Sequence, residues 1–445
     1  MRACSKRAGS FRKVMNYEEA KAYIEEVSRT GSILGLESIQ NLMKELGDVQ
    51  EELNIIHIGG TNGKGSTGSF IESVLIEAGY HVGRYTSPAV FETFEVWRVN
   101  RENIAVERYL ECLEQVKNAC ERMHAKGLPQ PTVFEVETAL AFVYFYQEKC
   151  DYVLLEVGMG GETDATNLIT KPICSVLTSI SMDHMQFLGN SLSEIARVKA
   201  GIIKAGCPIV TVDSQKGEVL QVINEVAKQK GAELFVAEGI CEQESACIES
   251  SIDGISYRHK AFGPVKLKLI GTYQIENSIL AATVCKKVLQ LSHEVILRGL
   301  EQTTWPGRFE VVSKEPLIIL DGAHNEDAAE KLAHTVQKHF TNCRITYIIG
   351  VLADKEHAKM LSSMLPLAQK VYTVTPQNKR ALDGAILAKE VQSFGKEAVY
   401  CENMSDAVRL AVKEAKRGES DVILAFGSLS YLSVVKQIII DTLEI

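Results

Sequence analysis

Ile55-Ile56-His57-Ile58-Gly59-Gly60-Thr61-Asn62-Gly63-Lys64-Gly65-Ser66 is the stretch that decides the fold. A short apolar run reads as a strand at 55–58, a glycine-rich loop closes it, and apolar residues at helical spacing follow at 69–78. Without side chains in the way, successive backbone N–H groups of such a loop converge on phosphate oxygens. Lys64 reaches the terminal phosphates and the helix N-terminus adds positive potential. A nucleotide is therefore the first ligand to expect. Gly65 stands between Lys64 and Ser66, whereas the ordinary phosphate loop runs Gly-Lys-Ser/Thr without a spacer, so the loop is a variant.

Outward from this loop the same pattern repeats. Apolar runs at 55–58, 152–157, 173–178 and 208–212 alternate with amphipathic helices such as 106–126 and 134–148, which predicts a parallel sheet covered on both faces. Short alternating runs within 232–269 predict a small antiparallel patch, and a helix follows at 274–291. Pro306 and Gly307 interrupt the helical pattern, so the boundary between two domains is placed at 303–307. Strands at 309–312, 317–320, 346–349, 371–374, 398–401 and 422–426 then predict a second, smaller doubly wound domain. The fold class is α/β: a phosphate-loop ATPase-like domain at 15–302 with its antiparallel patch, then a Rossmann-like domain at 303–445. Residues 1–14 carry Arg2, Lys6, Arg7, Arg12 and Lys13 with no acid. They read as a disordered extension ahead of a helix that Asn16 caps.

Composition narrows the function. With 445 residues the chain exceeds what one core supports. A net charge of -9, with basic residues dispersed among acidic ones, disfavours nucleic acid. The 11 cysteines include no Cys-x-x-Cys pair and read as reduced core residues of a cytoplasmic protein. No apolar run approaches membrane-spanning length.

Ligands of open parallel sheets sit beyond the carboxyl ends of the strands. Glu156, ahead of Gly158-Met159-Gly160-Gly161, falls there, as do Asp183, His184, Asp321 and His324. Magnesium, which accompanies nucleotide phosphates, takes hard oxygen ligands and keeps several waters. Glu156 suits it, with hydroxyls from Ser66 and Ser87 and with His184 as a further ligand. Lys199, read alone, is an ordinary helix lysine.

Taken in order, these segments closely resemble the folylpolyglutamate synthase and dihydrofolate synthase family of the Mur ligase superfamily. The resemblance spans nearly all the chain from Met15. It rests on Gly31-Ser32 with Leu34-Gly35-Leu36-Glu37, the loop at 60–66, Thr86-Ser87-Pro88, Thr132-Val133-Phe134-Glu135, Glu156 to Gly161 and Asp164-Ala165-Thr166-Asn167. Further matches are Asp183-His184, Lys199-Ala200-Gly201-Ile202, Tyr273-Gln274 with Asn277, Pro306-Gly307-Arg308-Phe309-Glu310, Asp321-Gly322-Ala323-His324-Asn325 and Gly427-Ser428-Leu429.

The resemblance implies a ligase that phosphorylates a folate carboxylate with ATP and lets the amino group of L-glutamate attack the acyl phosphate. It implies that Lys64, Glu156, His184 and Lys199 are catalytic, and that Ser87, Glu156, His184 and Lys199 hold two magnesium ions. Lys199 would do so as a carbamate, because an ammonium cannot ligate a cation. ATP is assigned to Thr61, Asn62, Gly63, Lys64, Gly65, Ser66, Asn277, Arg308 and Asp321. Folate is assigned to Leu34, Gly35, Thr132, Phe134, Glu135 and Asp164, and glutamate to His324 and Ser428. The chain departs from the family at Glu162, where many members have Arg, at Ala89 and Glu95-Val96-Trp97-Arg98, and at Arg101. The expected state is a cytoplasmic monomer acting on folate or dihydropteroate. The alternatives are a Mur enzyme of cell-wall synthesis, a phosphate-loop NTPase switch without an acyl acceptor, and a nucleotide-binding module without catalysis.

Overall fold

The computed structural model describes residues 15–29, 31, 35–240, 248–354 and 357–444. The extension expected at 1–14 lies outside them. Met15 leads into the helix Tyr17–Ser28, which Asn16 and Glu19 close with a reciprocal capping box.

The N-terminal sheet holds β1 (Ile55–Gly59), β2 (Val82–Tyr85), β3 (Trp97–Val99), β4 (Glu102–Asn103), β5 (Tyr152–Glu156), β6 (Cys174–Leu177), β7 (Ile209–Val212) and β8 (Leu234–Ala237). Their order is β4-β3-β2-β5-β1-β6-β7-β8, with β3 and β4 antiparallel at one edge and the rest parallel. Burial follows the pleat. Ile55, Val153 and Leu155 face one apolar layer, and Ile56, Ile58 and Leu154 face the other. Both faces are covered, which is why the strands read as continuous apolar runs rather than alternating ones.

A three-stranded antiparallel sheet of β9 (Glu249–Ser251), β10 (Gly254–His259) and β11 (Gly263–Leu267) follows. The second large sheet holds β12 (Glu310–Lys314), β13 (Leu317–Leu320), β14 (Ile345–Ile349), β15 (Lys370–Thr373), β16 (Glu397–Tyr400) and β17 (Val422–Phe426). Its order is β12-β13-β17-β14-β15-β16, and only β12 runs antiparallel to its neighbour.

Three expectations shift. The helix after the glycine loop begins at Lys64, not near 69. Gly65 and Gly68 weigh against helix in propensity, but Gly68 packs so closely on the Arg84 guanidinium and Ile58 that a Cβ would meet them at 3.3 and 3.4 Å. Segment 232–269 is not all antiparallel patch, since β8 pairs parallel with β7. The helix expected over 274–291 is α-helical only at Tyr273–Thr283 and continues as a π-turn at Val284–Val288. The helix His293–Glu301 and the short strands β2, β3 and β4 were not expected.

Candidate active site

β1 leads by way of the helix Lys64–Glu77 to β2 on one side, and the chain later builds β6, β7 and β8 on the other. The glycine loop therefore sits at the topological switch point, where an open parallel sheet forms its crevice. Two of its glycines are required by their surroundings. Gly60 lies at φ +136, where a Cβ would fall 1.9 Å from Thr178 Oγ1, and Gly63 lies at φ +90, where a Cβ would fall 2.4 Å from Asn277 Oδ1.

The backbone N–H groups of Thr61 and Asn62 both donate to Ser179 O, at 2.9 and 3.4 Å. The Thr61 hydroxyl donates to Ser181 O and accepts from Ser181 N, each at 3.1 Å. These two residues, expected on phosphate, thus tie the loop to the segment after β6. The N–H groups of Gly63, Lys64, Gly65 and Ser66 find no acceptor among the described residues, as befits the first turn of a helix. These amides, with Lys64, form an anion cradle.

Lys64 Nζ donates to Gly60 O and Thr61 O, each at 3.3 Å, and Lys199 Nζ donates to the same Gly60 O at 2.9 Å. Two amines therefore converge on one carbonyl. Lys199 sits in the helix Leu192–Ala200, which Ser191 and Glu194 cap, and is buried. Burial first, and Lys64 second, bring its ammonium down to about 7. Lys199 therefore holds its proton less tightly than an ordinary lysine.

Register sets Glu156 opposite Ile58, just ahead of the loop. Its carboxyl is buried and accepts no hydrogen bond from any described residue. Burial raises its proton affinity, and the charges of Lys64, Arg84, Arg308 and Arg98 pull it back. Ser66, Ser87, Glu156, His184 and Lys199 all line one cavity of about 540 Å³ between the two sheet domains. His184 takes the left-handed conformation at φ 50 and lies 3.8 Å from the Asp183 carboxylate. No three His, Cys, Asp or Glu groups among the described residues gather closely enough to cage a metal. One undonated buried carboxylate with hydroxyls around an anion cradle fits a magnesium ion that completes its shell with phosphate oxygens and water.

The C-terminal domain contributes Arg308, Asp321, His324 and Ser428 to the same cavity. Asp321 accepts from Phe309 N and Ala323 N at 2.8 Å and from the Tyr273 hydroxyl at 3.2 Å. It fastens the linker to the end of β13. Burial raises its carboxyl against the pull of Arg308. His324 Nδ1 lies 2.8 Å from Gly322 O, and the Ser428 hydroxyl accepts from Ser430 N. Asn277, whose amide donates to Gln274 at 3.1 Å, faces Gly63 across the loop.

Of the residues expected on folate, Leu34 is outside the described residues, and Gly35, Thr132, Phe134, Glu135 and Asp164 do not line this cavity. Thr132 and Glu135 cap the helix Val133–Gln147 reciprocally. Asp164 accepts from Met159 N, Thr166 N and the Thr166 hydroxyl, and so shapes the Gly158–Gly161 turn. Phe134 packs on Tyr85, and a Cβ at Gly158 would fall 2.5 Å from its ring. The departure at Glu162 is solvent-exposed.

A group behind the loop was not anticipated. Arg84 is fully buried, pairs with Glu72 at 2.8 Å and donates to Gly65 O. Its guanidinium lies 4.2 Å and that of Arg98 5.0 Å from the ring centre of Trp305. Trp305 stands between the helix His293–Glu301 and β12, and a Cβ on Gly65 would fall 3.0 Å from its ring, so the indole ties this segment to the phosphate loop. An arginine set in an apolar strand run was the one signal in the sequence.

Comparisons with known proteins identify the family and the fold. Residues 58–285 match the Mur ligase middle domain and residues 307–429 the Mur ligase glutamate ligase domain. The chain is 36% identical over 431 residues to a dihydrofolate synthase/folylpolyglutamate synthase of Bacillus subtilis, covering 95% of this chain and 98% of that one. A Mycobacterium tuberculosis folylpolyglutamate synthase complexed with ADP and AMPPCP superposes with a TM-score of 0.86 at 26% identity, covering 95% of this chain and 99% of that one. Escherichia coli FolC in complex with DHPP and ADP superposes with a TM-score of 0.80 at 26% identity, covering 96% and 98%.

Proposed function

Because the chain belongs to the folylpolyglutamate synthase and dihydrofolate synthase family of Mur ligases, we propose that it is an ATP-dependent ligase joining L-glutamate to the γ-carboxylate of a tetrahydrofolate. Dihydropteroate is proposed as a further acceptor. The observation that carries this reading is the anion cradle at Gly63–Ser66 with Lys64 and Glu156 beside it, in a cavity that the second domain closes.

A folate carboxylate oxygen attacks the γ-phosphorus of ATP. The bond to the β-bridging oxygen breaks, ADP leaves and an acyl phosphate remains. The glutamate amine then attacks the acyl carbon, losing a proton, and inorganic phosphate leaves. Both steps crowd negative oxygens together, so Lys64 and the loop amides lower the barrier by offsetting repulsion. Asn277, Arg308 and Asp321 flank the nucleotide's place in the cavity, and His324 and Ser428 face it from the domain assigned to glutamate. The folate pterin is proposed to lie against the wall built by Phe134 and Asp164.

Two magnesium ions are proposed, which Ser87, Glu156 and His184 and a carbamate on Lys199 would hold; they would supply positive charge that offsets the crowded oxyanions. The low proton affinity of Lys199 supports the carbamate, since only the neutral amine adds to CO₂. The domains are proposed to run over 15–302 and 303–445. No described helix is long and apolar enough to cross a membrane, and a cytoplasmic monomer is proposed.

Phosphate release measured with ATP and tetrahydrofolate, with and without L-glutamate, tests the reading. Release that depends on glutamate and matches amide formation supports the ligase. Release indifferent to both acceptor and glutamate would leave only a nucleotide switch.

A further inference from the structure

Asn62 belongs to the phosphate loop, yet its side chain faces the other domain. Its Nδ2 donates to Asp327 Oδ2 at 2.7 Å and lies 3.2 Å from Asn325 Oδ1, while its Oδ1 accepts from Asn325 Nδ2 at 3.1 Å. Asn325 caps the helix Glu326–His339 of the C-terminal domain, and its Nδ2 also reaches Asp183 Oδ2 at 3.4 Å. One turn along the same helix, Lys331 pairs with Asp327 at 3.0 Å and reaches the Ser179 hydroxyl at 3.5 Å. Ser179 is the residue whose carbonyl holds the Thr61 and Asn62 amides. Two ties thus run from one short helical segment, one to the phosphate loop and one to the segment after β6 that holds it, each across more than 150 residues of sequence.

We propose that Asn62, Asn325, Asp327 and Lys331 form an interdomain latch that seats the C-terminal domain on the phosphate loop and keeps water from the acyl phosphate. The four are positioning residues, and the proposal rests on the ligase reading above. The paired carboxamides satisfy each other only when the helix N-terminus abuts the loop. An Asn62 amide torn from them must find water instead, so the loop's order and domain seating rise and fall together. Sealing matters because an acyl phosphate met by water before the amine yields phosphate and unchanged folate, with ATP consumed to no effect.

The test uses the whole chain and two variants. Asn325→Ser keeps a good helix cap, because a serine hydroxyl accepts the same backbone N–H, but removes the carboxamide that grips Asn62. Asp327→Ala removes the second acceptor. Hydrogen–deuterium exchange is followed with AMPPCP present at 60–66, in the N-terminal domain, and at 321–328. The latch requires both variants to speed exchange at 60–66, although neither substitution lies in that domain, and unchanged exchange there overturns it. In turnover with tetrahydrofolate and glutamate, ADP formed per amide bond should rise from about one to severalfold while the affinity for AMPPCP stays within about twofold. A slower enzyme that still makes one ADP per amide would mean that the ties are merely structural, and would also overturn the proposal. If the unsubstituted enzyme made no amide while the exchange coupling held, the latch would stand and the ligase reading would fall.

Discussion

Lys64 and Lys199 donate to the same carbonyl oxygen, Gly60 O, from two different helices. Burial first, and the neighbouring Lys64 charge second, loosen the proton on Lys199. Lys64→Ala should lower kcat by at least about a hundredfold, the scale of removing one charge-stabilising donor, with an unchanged circular dichroism spectrum; undiminished turnover would remove Lys64 from the mechanism. Lys199→Ala should cut ligation steeply and regain part of it with added formate or acetate, and a normal rate without either would exclude the carbamate. The titration has a definite sign. Because the Lys199 ammonium is brought down to about 7, raising the pH from about 6 to about 8 at fixed dissolved CO₂ moves it from mostly charged to mostly neutral. A carbon-13 carbamate resonance should therefore grow over that interval, and a signal flat across it would contradict the assignment. At this scale the sequence disclosed Lys64 through the motif itself, but Lys199 only through family likeness, because an isolated lysine on a helix carries no mark of the carbonyl it will meet. The Asn62–Asn325 pair left no trace either, being a contact between residues 263 positions apart.

Among elements, the strands were the most legible. Apolar runs buried on both faces stand out whatever lies around them, and β13 and β17 fall on the expected residues. β2 escaped notice because Arg84 stands in it, and in the core that arginine is paired with Glu72, bonded to Gly65 O and stacked on Trp305. Removing one partner of such a pair strands the other charge. Glu72→Ala should then cost about 3 kcal/mol in a denaturant titration, whereas Glu72→Leu with Arg84→Met should recover most of that loss; a single variant as stable as the parent would refute the pairing. The helix Val133–Gln147 offers a second test, because Thr132 and Glu135 were expected to bind folate and are found capping the helix. Thr132→Ala should cost about 1 kcal/mol of stability in a denaturant titration, and a variant as stable as the parent would refute the cap. KM for folate, measured on the same variant, decides whether Thr132 also touches substrate. Capping and ligand binding use the same residue types, so sequence alone does not separate them.

The molecule as a whole makes sense as two sheets covered by helices that face each other across one cavity. The N-terminal sheet supplies the phosphate cradle, Glu156 and Lys199. The C-terminal sheet supplies Arg308, Asp321, His324 and Ser428. Residues of both halves line the cavity, and the Arg84–Trp305 stack and the Asn62 ties connect the segment before β12 and the far sheet to the same loop. The two sheets were readable from the alternation of apolar runs and helices, whereas the Arg84–Trp305 stack was not, because cation–π contacts have no sequence period. The central claim is that the folate carboxylate is phosphorylated before nitrogen attacks. It is tested most directly by supplying tetrahydrofolate whose γ-carboxylate carries heavy oxygen, with ATP and L-glutamate, and measuring the mass of the released phosphate. The account requires one heavy oxygen in the phosphate for each amide bond formed; amide formation with none transferred would contradict it.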